Sequence, residues 1–411
     1  MKVRIGLAVV MLHIPVACAW AQSATQFVTI RRHPDISFTN VQADKVLKDA
    51  STVLQVDDDG AGAGDIACNV KLSRTMDVRD FASDAPSAVN SAADGAAVHA
   101  EDSFVKIVDS ITSCGGIKGS YAGCTKTPGR SMIVVASENG LDIVWAHEFG
   151  HATGLQHRNA PKAVMTGAPL ASDQKYLNQK ECDSYINGPP ITLSTINAPE
   201  QPKEKGTSSD GVSMSLLELA HAPFSDRVPY SLIQGMSNAQ MPALLSMLSD
   251  LREQDSWANV VTIAGIVGDP EMVSVLNRFL DSSSSGGNPS AIFRSKAAAL
   301  IALGYLAHRF PDSDALASLI PRTNVDAWAT AGPWVGETLK TRAAKINSLR
   351  EVAMIGIALS GRQEALPWLT AARVQQFNTA KSADRNKAFA GEILETHGKV
   401  SRVGLEQYYS D

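Results

Sequence analysis

The stretch that decides the reading is His147-Glu148-Phe149-Gly150-His151-Ala152-Thr153-Gly154-Leu155-Gln156-His157. It fills every fixed position of the frame H-E-x-x-H-x-x-G-x-x-H. His147 and His151 stand four apart, so on a helix both imidazoles leave one face and can share a metal ion. Glu148 follows the first histidine and can reach a water beside that ion. Gly154 lets the chain leave the helix through a conformation that a side chain resists. That turn brings back His157 as a third ligand. Three imidazoles leave a fourth position open, the pattern of a catalytic zinc site and not a structural one. His33, His99, His221, His308 and His397 form no comparable cluster.

Outward from this stretch, Leu141 to Leu155 reads as a helix, with Asp142 near its positive end and Gly154 at its close. Met132-Ile133-Val134-Val135 is a β-branched run between Pro128-Gly129 and Asn139-Gly140, and reads as a strand. Gln26–Arg31, Ile66–Leu72 and Phe104–Ile111 also read as strands. Asn40–Leu54 reads as a helix capped by Thr39, with Val41, Ala43, Val46, Leu47 and Ala50 on one face. Strands and helices mixed within one segment predict an α+β domain. Asp57-Asp58-Asp59-Gly60 through Asp65 is an acidic turn, read as a solvated loop with calcium binding as the alternative.

The 411 residues carry 37 Lys plus Arg against 42 Asp plus Glu, a formal net charge of −5. This balance argues against a nucleic-acid partner, which would meet a basic face. Residues 1–21 read as a secretory signal peptide: Lys2 and Arg4, an apolar run from Ile5 to Val16, then Ala19-Trp20-Ala21. Its loss takes the net charge from −5 to −7 and removes Cys18. The expected location is periplasmic or extracellular, and no integral membrane span is expected. Cys68, Cys114, Cys124 and Cys182 remain and allow three connectivities. The Gly-rich loop between Cys114 and Cys124 favours that pair, leaving Cys68 with Cys182.

Pro- and polar-rich residues 191–211 read as a linker, or as a long loop within one domain. The expected domains are 22–190 and a helical domain over 212–411. In the latter, 264–276, 303–320 and 357–369 each read as a helix end, a turn and a second helix. These units resemble HEAT repeats, with a non-repetitive bundle as the alternative.

The motif resembles that of the metzincin metallopeptidases, and of their matrixin-like branch, over roughly residues 26–190. Its specific part is 147–165, where Met165 stands eight residues after His157 as in the Met-turn. The resemblance implies a metzincin-like α+β fold with a mixed twisted sheet, and a final helix over Asn178–Ile186. It implies Zn2+ as cofactor, Met165 as a hydrophobic floor beneath the metal, and Glu148 as general base and acid in peptide-bond hydrolysis. It further implies a protein or peptide substrate extended along an exposed Met132–Val135 edge, with Thr166, Gly167, Ala168, Pro169 and Leu170 bordering a pocket. Two departures stand out: Arg158 follows the third histidine where Ser is usual, and Met165-Thr166-Gly167 replaces Met-Tyr-Pro. The competing expectation is an exported helical-repeat binding protein whose metzincin-like domain is accessory or catalytically silent. The helical domain would then hold a partner, or act as an exosite for the peptidase.

Overall fold

In a computed structural model of the chain, the described residues are 23–56, 65–136, 141–158, 160, 162–167, 175–190, 215–222, 224, 228–282, 287–328, 338–370 and 382–410. The expected leader, the 191–211 linker, the acidic residues 57–60 and the pocket residues Ala168, Pro169 and Leu170 lie outside them.

The first half opens with strands β1 (Ala24–Val28) and β2 (Ile30–Arg32), then helix α1 (Asn40–Gln55). Thr39 caps α1 as expected: its Oγ1 accepts from Gln42 N at 3.2 Å, and Gln42 Oε1 accepts from Thr39 N at 2.8 Å. This reciprocal pair satisfies two backbone donors that the helix leaves over. Ala43, Val46, Leu47 and Ala50 are buried, but Val41 is 78% exposed. Two residues before Ala43, Val41 points about 200° away around the helix, off the packed face.

Next come β3 (Val70–Arg74), β4 (Arg79–Asp80), β5 (Ala88–Val89), α2 (Ala92–His99), β6 (Val105–Val108), β7 (Ser110–Cys114), β8 (Ile117–Tyr121), β9 (Gly123–Thr125) and β10 (Met132–Val135). Helices α3 (Leu141–Ala152) and α4 (Gln179–Asn187) complete the half. The main sheet has the order β4-β2-β6-β10-β9; its first four strands are parallel, and β9 is antiparallel to β10. β1 pairs with β3, and β5-β7-β8 form a third sheet.

Three strand expectations shift. The run Phe104–Ile111 divides at Asp109, with β6 in the main sheet and β7 in the three-stranded one. A continuous apolar run conceals such a break because both pieces are buried. The expected Ile66–Leu72 strand begins only at Val70, since Cys68 is disulfide-bonded to Cys182. Met132–Val135 is a strand, but not an edge: it lies between β6 and β9 and is buried throughout. Apolar residues on both faces mark an interior strand. The second disulfide joins Cys114 and Cys124, so both favoured pairings are present.

The second half is helical: α5 (Leu216–His221), α6 (Tyr230–Ile233), α7 (Met241–Met247), α8 (Trp257–Val267), α9 (Met272–Asp281), α10 (Pro289–Arg309), α11 (Ala315–Leu319), α12 (Leu339–Leu359), α13 (Leu366–Leu369) and α14 (Ala383–Ser410). Helix α10 packs between α8 and α12. The helices approach closely at small residues. A Cβ added to Gly265 would stand 2.6 Å from Ala302 Cα, and one added to Gly304 would stand 2.9 Å from Gly356 Cα. By length and composition α10 could cross a membrane, but 94% of its apolar window is buried in this stack. The three expected helix-turn-helix units are α8–α9, α10–α11 and α12–α13. Their second helices have ten, five and four residues, so the units are not equal copies.

The halves meet across a polar interface. Lys118, on β8, is fully buried. Its Nζ lies 2.5 Å from Glu392 Oε2 of α14 and donates to Asn90 O at 3.0 Å and Ser113 Oγ at 3.1 Å. Its backbone N–H donates to Tyr408 Oη at 3.1 Å, and its carbonyl accepts from Tyr409 Oη at 2.9 Å. Asn90 Nδ2 donates to Ser348 Oγ and Glu351 Oε2, both at 2.9 Å. Removing one partner from such a buried pair leaves a charge that nothing compensates, at about 3–5 kcal/mol.

Candidate metal centre

Helix α3 is buried on every face except at Asp142, because it runs between α1 and the main sheet. It ends at Ala152, three residues before the expected close, and Gly154 then adopts φ +99°. Only that left-handed turn brings His157 back over the helix.

Each helix histidine is oriented by a backbone carbonyl. His147 Nδ1 lies 2.7 Å from Val164 O, and His151 Nδ1 lies 2.8 Å from Leu155 O. A carbonyl only accepts, so both Nδ1 atoms donate and the Nε2 lone pairs turn inward. His157 Nε2 lies 3.2 Å from His147 Nε2 and 3.1 Å from His151 Nε2. Nitrogen atoms facing one another this closely need a proton or a cation among them. A tetrahedral ion with Zn–N bonds of ~2.0–2.1 Å holds its ligand atoms ~3.3 Å apart. The donor set therefore fits zinc, and this is the metal-ligand cluster found among the described residues.

Glu148 is fully buried beside the triad. Gly123 on β9 makes room for it: a Cβ there would overlap the Glu148 carboxylate. Met165 is also fully buried, and its segment ties the histidines together. Val164 O orients His147, while Met165 O accepts from Arg158 N at 2.6 Å, next to His157. Tyr185 of α4 supports this floor. Its Oη donates to Ala146 O at 2.9 Å and lies 3.4 Å from Met165 Sδ. Gly150 leaves the space that Met165 and Tyr185 occupy, and a Cβ on Gly167 would stand 2.7 Å from His157 Nδ1. Of the expected pocket residues, Gly167 thus lies against His157, with Thr166 between it and Met165 in the chain.

Arg158, the departure after the third ligand, has a structural partner set. Its guanidinium pairs with Asp65 at 3.3 Å and Glu181 at 3.0 Å, and donates to Tyr176 O at 2.9 Å. Burial raises the Glu181 carboxyl above its ordinary range, with Asn178 N–H and Arg158 opposing it. Asp65, the last residue of the acidic turn for which calcium binding is the alternative reading, is thus committed to an ion pair.

The sequence reading missed Gly123, Tyr185 and the supporting role of Gly150. Gly150 had a local signal, a small residue inside the motif. Gly123 and Tyr185 act over 25 and 20 residues, respectively, and carry no local sign of it. Neither a curated protein nor a solved structure matches the chain. The family model described as matrixin matches residues 37–184. That match, with the histidine triad inside it, supports a metzincin-like, zinc metallopeptidase-like domain over those residues.

Proposed function

We propose that the protein is an exported zinc-dependent endopeptidase, with His147, His151 and His157 as metal ligands and Glu148 as general base and acid. The observation that carries this reading is the convergence of the three imidazoles, with His157 Nε2 within 3.2 Å of both other Nε2 atoms, beside a buried carboxylate. When bound, zinc supplies a Lewis acid for the scissile carbonyl and lowers the pKa of water towards ~7. Glu148 takes the proton from the attacking water and delivers it to the leaving amine, a role worth typically 10²–10⁴-fold. Met165 holds the ligand floor. The substrate adds as a strand beside β9, the terminal strand of the main sheet, with Thr166 and Gly167 walling the other side. Two cysteine pairs suit an oxidising compartment, in keeping with a leader over 1–21 and export. The mature chain then divides into a peptidase domain over 22–190, a linker over 191–211 and the helical domain beyond.

Profiling cleavage of proteome-derived peptides, with and without a chelator, tests the reading. Cleavage should vanish with chelator and return with zinc. Glu148→Ala should retain zinc by elemental analysis and lose at least ~10²-fold in rate. Chelator-resistant cleavage, or wild-type rates in Glu148→Ala, would overturn it.

A further inference from the structure

A cleft lies between the two halves, close to the proposed reaction site. One wall comes from Ala122, Leu141 and Val144, the other from Phe224, Asn259 and Arg294 of the helical half. Leu141, Val144 and Glu148 are spaced i, i+3 and i+7 on α3 and share one face. Ala122 directly precedes Gly123, which lies against the Glu148 carboxylate. The cleft and the carboxylate are thus two ends of one line. Seven helical residues separate Leu141 from Glu148, which is ~10 Å. An extended peptide covers that distance in about three residues.

The polar end of the cleft holds Arg294 together with Asp255, whose carboxylate attracts the guanidinium. Arg294 Nη2 donates to Asp255 O at 3.1 Å. Its Nε is buried without a hydrogen-bond partner among the described residues. Asn259, by contrast, spends its Nδ2 on Ala220 O at 3.2 Å and Ala222 O at 2.8 Å. A buried N–H lacking an acceptor costs about 1–3 kcal/mol, so a ligand that brings one is favoured. The free volume is about 50 Å³. That is room for roughly three or four water-sized groups. An aspartate or asparagine side chain has that size and carries the acceptor.

We infer that this cleft is a remote substrate subsite, in which Arg294 of the helical half selects an Asp or Asn side chain about three residues from the scissile bond. The inference rests on the peptidase reading, and makes the helical half part of the specificity apparatus.

The test uses the full-length zinc-loaded protein and paired peptides that differ only in Asp or Leu at that position, on each side of the scissile bond in turn. On one side, the wild type should show a kcat/KM ratio of Asp to Leu of at least tenfold. Arg294→Met should collapse that ratio towards one. His221→Trp alters a half-exposed side chain that lines the cleft, with folding checked by its thermal midpoint, and the indole should lower the ratio by obstructing entry. A wild-type ratio near one on both sides, or a ratio that survives both substitutions, overturns the inference while leaving the peptidase reading standing. No chelator-sensitive cleavage of any peptide overturns that reading, and the subsite with it.

Discussion

Glycines do different work in the two halves. Around the triad, Gly123, Gly150 and Gly167 leave out a side chain so that a particular neighbour can sit there: the Glu148 carboxylate, Met165 with Tyr185, and the His157 ring. In the helical stack, Gly265, Gly304 and Gly356 let backbone approach backbone, against Ala302 and against one another. The first set fixes the position of chemistry, and the second fixes the spacing of helices. The same substitution should therefore injure activity in one half and stability in the other.

The largest contrast is expected at Gly123. Gly123→Ala forces Glu148 aside, and a misplacement of about 1 Å costs on the order of 10²-fold in rate. Zinc content should stay near wild type, because no ligand moves. Peptidase assays beside elemental analysis check this, and loss of zinc would break the distinction. Gly304→Ala should do the reverse. Overpacking costs about 1–3 kcal/mol, offset by ~1 kcal/mol of helix propensity. The thermal midpoint should fall by a few degrees, at about 2–4 °C per kcal/mol for a large domain. Activity per folded molecule should hold; if it falls in step with stability, the halves are not doing separate work.

Tyr185→Phe sharpens the comparison within the metal-binding half. It removes the hydroxyl that donates to Ala146 O and touches Met165 Sδ. The expected loss is about 1 kcal/mol of stability. Zinc affinity should weaken towards the lower end of the ~10–100-fold seen for supporting groups around a metal. Competition with a chromogenic chelator measures it.

The narrowest effect, confined to alkaline pH, concerns Lys106 within β6. It donates to Ser131 Oγ at 2.7 Å and to Ser103 O, and burial, with Lys126 adding to it, pulls its pKa down to about 7. Between about pH 7 and 10.5 the unfolded chain keeps this proton and the folded chain releases it. Stability from this group therefore rises with pH across that window and levels off below it. Lys106→Met should abolish the rise, worth at most about 1.4 kcal/mol per pH unit. Denaturant unfolding of both proteins at pH 7, 8 and 9 resolves it.

The sequence reading was sound where the physics is local. Four-residue spacing places His147 and His151 on one face, Thr39 caps α1, and Gly154 turns the chain after α3. It failed where a signal depends on distant partners. Strand β9 is three residues long, contains a glycine and is buried on both faces, so neither period nor length marks it, and the edge was assigned to Met132–Val135 instead. Lys118 and Glu392 look like ordinary surface charges until folding joins them across a sequence separation of 274.

The bridge between Cys68 and Cys182 encircles the sheet strands from β3 to β10, the zinc motif and the Met165 segment. A single backbone cut anywhere between those cysteines leaves two polypeptides that still travel as one molecule. Such a nick changes the mass under oxidising conditions by only the one water that hydrolysis adds, and separate fragments appear only after reduction. The protein's integrity in an external environment is therefore a question of thiol chemistry as much as of folding.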